Sequence, residues 1–165
     1  MDFVEKHQIT AGFVPLDLQT QRDGDYVKAG DYLRTLIVFF KGTGTDGDDP
    51  IVTLQQASDN SGTGVKALGF TTIWTKQGAD VLTVAQFTKV TAPSSGIHVW
   101  TANTYKNTDG HQQAIWVVEI HRDQMDIAGG FTYLRATLND TGSNAQLGCV
   151  IYVPMYPIGL PASAL

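Results

Sequence analysis

Apolar residues in this chain occur in short runs that are rich in valine, isoleucine, threonine and aromatic residues, and polar segments containing glycine and aspartate separate them. The 17 glycines and 6 prolines interrupt the sequence too often for long amphipathic helices. This pattern is typical of β-strands. It predicts strands over residues 33–40, 51–57, 65–76, 81–90, 97–101, 114–121, 131–139 and 146–153.

Two of these segments indicate how the strands are buried. Residues 33–40 (LRTLIVFF) are almost continuously apolar, which predicts a central strand of a sandwich with both of its faces covered. Residues 131–139 (FTYLRATLN) alternate instead, which places Leu134, Ala136 and Leu138 on one side of a strand.

The spacing of the strands predicts the fold class. They recur every 8–12 residues or so with turns between them, and no segment suits a long crossover helix. We therefore predict an all-β fold, an antiparallel β-sandwich that is jelly-roll-like. No repeat or boundary divides the chain, so residues 1–165 are predicted to be one domain.

Both ends of the chain are predicted to be extended arms. Pro15 prevents a helix through the first segment, so residues 1–25 are predicted to be an N-terminal arm or edge strand. Residues 154–165 are predicted to be a proline-rich tail, because its prolines do not suit the interior of a sheet. Residues 103–113 are predicted to be a polar loop.

Composition narrows the classes of partner. Only 16% of the residues are charged, against about a quarter in ordinary domains. The net charge is -5 and the 11 lysines and arginines are scattered, so we predict no nucleic-acid partner. No apolar stretch approaches the ~18 residues that cross a membrane, and the N-terminus lacks a signal-peptide pattern. We expect no membrane partner and synthesis in a reducing cytoplasm.

Motifs for catalysis are missing from the sequence. It contains no G-x-S-x-G elbow and no cysteine–histidine signature, so we predict a protein that is not an enzyme, with no catalytic residues and no cofactor. Glu119 is the one acid within an apolar segment, where it could lie at a subunit interface; a general acid is the alternative, and a structural carboxylate with its hydrogen bonds satisfied is the preferred interpretation. The single cysteine, Cys149, is predicted to be a small buried side chain.

Two residue clusters leave alternatives open. Asp46, Asp48 and Asp49 around a glycine resemble a Ca²⁺ loop in residue type but lack the EF-hand spacing, so a solvated acidic turn is the preferred interpretation and no metal site is predicted. The tryptophans at 74, 100 and 116 would suit a sugar-binding platform, but each lies in a predicted strand and core packing is preferred.

Several motifs carry a resemblance to a known group of proteins. They are TLQQA after an acidic loop, FTTIWTKQG at 70–78, EIHRDQMDIAGGF at 119–131 and NAQLGCVIY at 144–152. On these motifs the chain, from Tyr26 to Val153, resembles small virion structural proteins of tailed bacteriophages. Those are capsid decoration, or cement, proteins that are encoded beside the major capsid protein.

The resemblance implies a role, partners and a location. It implies that the chain stabilises a phage capsid by bridging neighbouring capsomers, with the major capsid protein and its own copies, as a dimer or trimer, as partners. It implies the outer surface of the virion as the location, after synthesis in the bacterial cytoplasm. The alternatives are a head–tail connector or tail component and, from another class, a carbohydrate-binding module. The predicted capsid contacts are the apolar residues of the two arms: Phe3, Val4, Ile9, Phe13, Pro154, Tyr156, Pro157 and Leu160.

Overall fold

A computed structural model of the protein describes residues 3–92, 98–109, 111–139 and 142–159. Two antiparallel sheets pack face to face around one hydrophobic core. The prediction of an all-β antiparallel sandwich is confirmed.

Twelve strands, one short helix and two 3₁₀ turns are formed by the described residues. In chain order they are α1 (Phe3–Lys6), β1 (Thr10–Asp17), β2 (Arg22–Asp23), a 3₁₀ turn (Ala29–Asp31), β3 (Tyr32–Lys41), β4 (Ile51–Ala57), β5 (Lys66–Ala67), β6 (Thr72–Gly78), β7 (Thr88–Thr91), β8 (His98–Trp100), β9 (Thr104–Asn107), β10 (Gln113–His121), a second 3₁₀ turn (Arg122–Gln124), β11 (Tyr133–Asn139) and β12 (Leu147–Pro157).

The strands of each sheet are far apart in the sequence. The first sheet has the spatial order β1-β12-β3-β10-β6-β7. The second has the order β2-β11-β4-β9-β8, and β5 pairs with β4 beside it. Between most pairs of neighbouring strands, the chain first passes through the opposite sheet. The fold therefore depends on contacts between segments that are distant in the sequence.

Alternating side chains of both sheets form the core. Trp116 on β10 and Tyr105 on β9 are fully buried, and their rings meet edge to face across the two sheets at 5.8 Å. On β11, Leu134, Ala136 and Leu138 are fully buried, as the alternation predicts. Apolar side chains at every second position therefore hold the sheets together.

The strand predicted over residues 81–90 is wrong for most of its length. Only β7 is extended there, and Leu82 is 87% exposed in a turn. The Asp80 carboxylate accepts the amide of Leu82 at 3.0 Å, and the Asp80 carbonyl accepts the amide of Thr83 at 3.1 Å. Local side-chain bonding of this kind competes with a strand ladder.

Two further strand predictions need correction. The loop predicted over residues 103–113 contains β9, which pairs with β4 and buries Tyr105. The strand predicted over residues 65–76 is divided into β5 and β6, which belong to different sheets. Short strands with polar flanks give a weak sequence signal, because only one or two of their residues reach the core.

The C-terminal tail begins later than predicted. Pro154 and Pro157 lie within β12, opposite Thr35 and Tyr32 of β3. The pairing of β12 with β1 ends at Tyr152, and beyond that residue no described strand pairs with this edge of β12. A proline is tolerated on such an edge because its missing amide hydrogen costs no ladder bond there.

Candidate partner-binding surfaces

The outer face of the first sheet is apolar across its three central strands. Eight outward side chains on these strands lie in three rows, and each row runs across strands that are paired in register. We call these eight residues the apolar face. The rows are Cys149, Phe40 and Ile115; Ile151, Val38 and Val117; and Val153 and Leu36.

The apolar face is open within the described chain. Most of its side chains are half-buried by one another, and Phe40 is 47% exposed. Leu147, at the end of β12 beside the first row, is 60% exposed. The prediction that residues 33–40 are covered on both faces is therefore wrong for the outer face of β3, over which no described segment packs.

The outer face of the second sheet has the opposite character. Its outward positions include Thr53 and Gln55 on β4, Lys106 on β9 and Arg135 on β11. Arg135 donates to Gln55 at 2.7 Å and pairs with Asp23 at 3.3 Å. One polar face is usual for an antiparallel sheet in water, so the first sheet is the unusual one.

Glu119 lies at the margin of the apolar face, at the end of its third row. It shares the outer face of β10 with Ile115 and Val117, and its carboxylate accepts a hydrogen bond from Arg34 at 2.8 Å. His121 lies 3.5 Å from the same oxygen. The carboxylate is thus compensated by neighbouring groups at the edge of the face.

A cleft of about 450 Å³ opens beside Glu119, where β6 separates from β10. The pairing of these strands ends at Val117 and Trp74, and the cleft lies beyond that pair. Trp74 is 39% exposed, and the Lys89 ammonium lies 5.7 Å from its ring centre.

The three tryptophans do not form an exposed row. Trp116 is fully buried and Trp100 packs against the core beside Tyr105 at 5.0 Å. Core packing is thus the correct interpretation for these two. It is wrong for Trp74, which lies on the outer face of β6.

The predicted contact residues of the two arms meet at one end of the first sheet. The His7 ring lies 4.5 Å from Phe3 and 5.2 Å from Tyr156 of β12. Val4 and Ile9 are 71% and 55% exposed beside them. We call these five residues the terminal cluster.

The other predicted contacts lie elsewhere. Phe13 belongs to the core and Pro154 is buried, so neither is available to a partner, and both predictions are corrected. Pro157 is half-buried at the end of β12. Leu160 lies outside the described residues.

The acidic loop is less solvated than predicted. Asp48 and Asp49 are only 8% and 4% exposed. The Asp48 carboxylate accepts hydrogen bonds from the backbone amide and the side-chain amide of Asn144, at 3.0 and 2.9 Å. Asp49 pairs with Lys106 at 3.6 Å. Both carboxylates thus have protein partners, and among the residues that the structure covers no three potential metal ligands cluster.

Cys149 is buried, as predicted, in the first row of the apolar face. Its side chain is 7% exposed. Burial raises the pKa of the Cys149 thiol above its ordinary value, so the thiol stays protonated and poorly nucleophilic near neutral pH.

Reasoning from the sequence missed the apolar face as a site. The available signal was that residues 36–40 and 115–118 are apolar at both phases of the strand alternation, although an ordinary sandwich strand is apolar at one phase.

Comparisons with known proteins give no assignment: no family model matches the chain, and a search of curated proteins finds no match. None of the helices in the described ranges has the length and hydropathy to cross a bilayer.

Proposed function

We propose that this chain is a structural virion protein that decorates a tailed-phage capsid from the outside and bridges neighbouring capsomers of the major capsid protein. The observation that carries this proposal is the apolar face together with the terminal cluster. Large exposed apolar surfaces are typical of sites that bind another protein and are rare on proteins that function as monomers in water.

The composition supports a role in which much of the surface lies against other protein. With 16% charged residues, the polar surface consists largely of neutral side chains, which cost less to dehydrate than charged ones. A lattice presents many equivalent binding sites, so modest contacts by each copy add up across the shell.

The strand order supports a jelly-roll assignment within the sandwich class. The order β1-β12-β3-β10 in one sheet lies opposite β2-β11-β4-β9 in the other. Consecutive strands of this set change sheets in the manner of two Greek keys, with β5–β8 inserted between β4 and β9. This architecture is a common one in viral capsid domains.

The terminal cluster and the neighbouring edge strand are the parts that we assign to the capsid. Among the described strands β1 pairs with β12, and on its other edge the Gly12 carbonyl accepts the Asp25 amide at 2.9 Å, so we assign the remainder of that edge to a strand from a neighbouring subunit. Phe3, Val4 and Ile9 offer apolar side chains at the same end of the sheet. An edge and an apolar anchor side by side are what strand addition requires.

The alternative roles fit these observations less well. A carbohydrate-binding module would be expected to display a row of exposed aromatic rings, and of the three tryptophans only Trp74 is exposed, at 39%. A head–tail connector has the same surface requirements as a decoration protein and differs from it in copy number.

Quantitative mass spectrometry of purified particles that contain this chain tests the proposal. We expect about one copy for each copy of the major capsid protein. A few copies per particle would instead assign the chain to the connector or the tail. Complete absence from the particles would overturn the virion role.

Removing residues 1–9 should weaken binding to undecorated heads while the domain stays folded. The deletion removes Phe3, Val4, His7 and Ile9 but leaves β1 intact, since that strand begins at Thr10. Binding is measured by co-sedimentation with heads, and folding by circular dichroism.

The matched control for this deletion is Leu82→Ser, which removes an exposed apolar side chain in a turn far along the chain from the terminal cluster. It should leave head binding unchanged. Full occupancy of the heads by the deletion variant would rule out the terminal cluster as a capsid contact.

A further inference from the structure

We propose that the cleft between β6 and β10 binds a neutral saccharide of one or two rings, which packs against Trp74 and accepts and donates hydrogen bonds at the polar side chains around it. This single cleft is not the platform of three tryptophans that a carbohydrate-binding module would use. The capsid role does not require the cleft to bind a sugar, and sugar binding does not require the capsid role.

The cleft exists because the first sheet opens at this point. β10 continues to His121, whereas its pairing with β6 ends at Val117 and Trp74. The His121 amide donates to the Gln124 side-chain oxygen at 2.7 Å, and this bond ties the second 3₁₀ turn to the end of β10 as the far wall. The enclosed space of about 450 Å³ lies within the range of small-ligand sites.

Trp74 supplies an apolar wall to the cleft. Its side chain lies on the outer face of β6 and is 39% exposed. Indole is a broad, flat surface, and one side of a sugar ring carries C–H groups that pack flat against such a surface. Covering the exposed part of the indole with these C–H groups removes apolar area from water, which favours binding.

The polar side chains of the cleft include both donors and acceptors. The Glu119 and Asp123 carboxylates accept hydrogen bonds, and the Lys89 ammonium donates them. The Gln124 side-chain oxygen is occupied by the His121 amide, which leaves the NH₂ group of Gln124 as a further donor. A sugar hydroxyl donates and accepts at the same time, so it needs a mixed set of this kind.

The balance of charge favours a neutral ligand. Arg34 pairs with Glu119 at 2.8 Å, and Lys89 offsets Asp123 across the cleft. A phosphate would meet two carboxylates, and a cation would meet the Lys89 ammonium, which lies 5.7 Å from the centre of the Trp74 ring. A wholly apolar ligand would leave the polar groups dehydrated without partners. A polyhydroxyl ligand with one apolar side avoids all three costs.

Nuclear magnetic resonance titration of the ¹⁵N-labelled chain tests the proposal. The probes are glucose, galactose, mannose, N-acetylglucosamine, lactose and maltose, and the indole N–H resonance of Trp74 reports binding. We expect at least one sugar to bind with a dissociation constant of about 1 mM or below, the affinity that a ligand of about a dozen non-hydrogen atoms reaches.

Two variants test whether the sugar lies in the cleft. Trp74→Ala should weaken binding at least about tenfold, measured by the backbone resonances of Gln124 and His121, since it removes the apolar wall. Asp123→Ala should also weaken binding, and its exposed position makes loss of folding no concern. The matched control is Phe87→Ala, which removes an aromatic ring that is 44% exposed but does not line the cleft, and it should bind as the unsubstituted chain does.

The outcomes separate this inference from the capsid role. No shift of the cleft resonances by any of these sugars at about 10 mM, or full affinity in the Trp74→Ala variant, would overturn the sugar site. Tighter binding of the anionic sugar N-acetylneuraminic acid than of every neutral probe would overturn the neutral class. A chain that binds a sugar but is absent from virions would overturn the capsid role alone, and a virion protein without a sugar response would overturn this inference alone.

Discussion

Replacing Trp116 with alanine is expected to lower the free energy of unfolding by about 3–5 kcal/mol, the range for removal of a large buried aromatic side chain. Trp116 is fully buried between the sheets, where its ring meets Tyr105 at 5.8 Å and lies 5.9 Å from the Lys41 ammonium. Its indole N–H also donates to Gln77 at 3.0 Å. The substitution removes the ring, the hydrogen bond and the cover over a buried lysine.

Urea denaturation measures the effect of Trp116→Ala, and Trp74→Ala is the matched control. Trp74 lies on the outer face of β6 and is 39% exposed, so its loss should change the free energy of unfolding much less. Equal losses for the two variants would mean that Trp116 does not link the sheets as the structure indicates.

Replacing Tyr152 with phenylalanine should cost about 1–3 kcal/mol of stability, although it removes a single oxygen atom. Tyr152 is fully buried, and its hydroxyl oxygen accepts the backbone amide of Ala136 from the opposite sheet at 2.8 Å. Without that oxygen the Ala136 amide is left buried and unpaired. The surroundings are tight, since a Cβ added at Gly24 would lie 2.4 Å from the hydroxyl oxygen, so a replacement water has little room.

Thermal or urea unfolding measures the Tyr152→Phe change, with Tyr156→Phe as the control because Tyr156 is 38% exposed. Burial raises the pKa of Tyr152, so the folded state favours the neutral phenol. Stability should therefore fall as the pH rises above the ordinary pKa of tyrosine, and it should fall less in the variant. An unchanged stability at neutral pH would show that the bond to Ala136 adds nothing.

The two surfaces proposed for binding differ in how far the sequence indicated them. The terminal cluster joins residues from both ends of the chain that the sequence had already singled out, among them Phe3 and Tyr156. The apolar face joins three strands from distant parts of the chain. Its recognition required the register of β3 with β10 and β12, because only pairing shows which apolar residues are neighbours.

The fold class and the strongest strands are predictable from local sequence, because β-branched and aromatic runs between glycine-rich turns favour strands wherever they lie. The inward side of β11 is predictable in the same way, since alternation fixes which residues share a face. These are local properties that each segment carries alone.

Three features depend on packing between distant segments: which strands are neighbours, the formation of β9 within a polar segment, and the continuation of β12 through Pro154 and Pro157. The same is true of the outer side of β3, which has no cover among the described residues although the sequence predicts one. The physical reason is that burial depends on what packs across a strand, and those contacts come from segments that are distant in sequence.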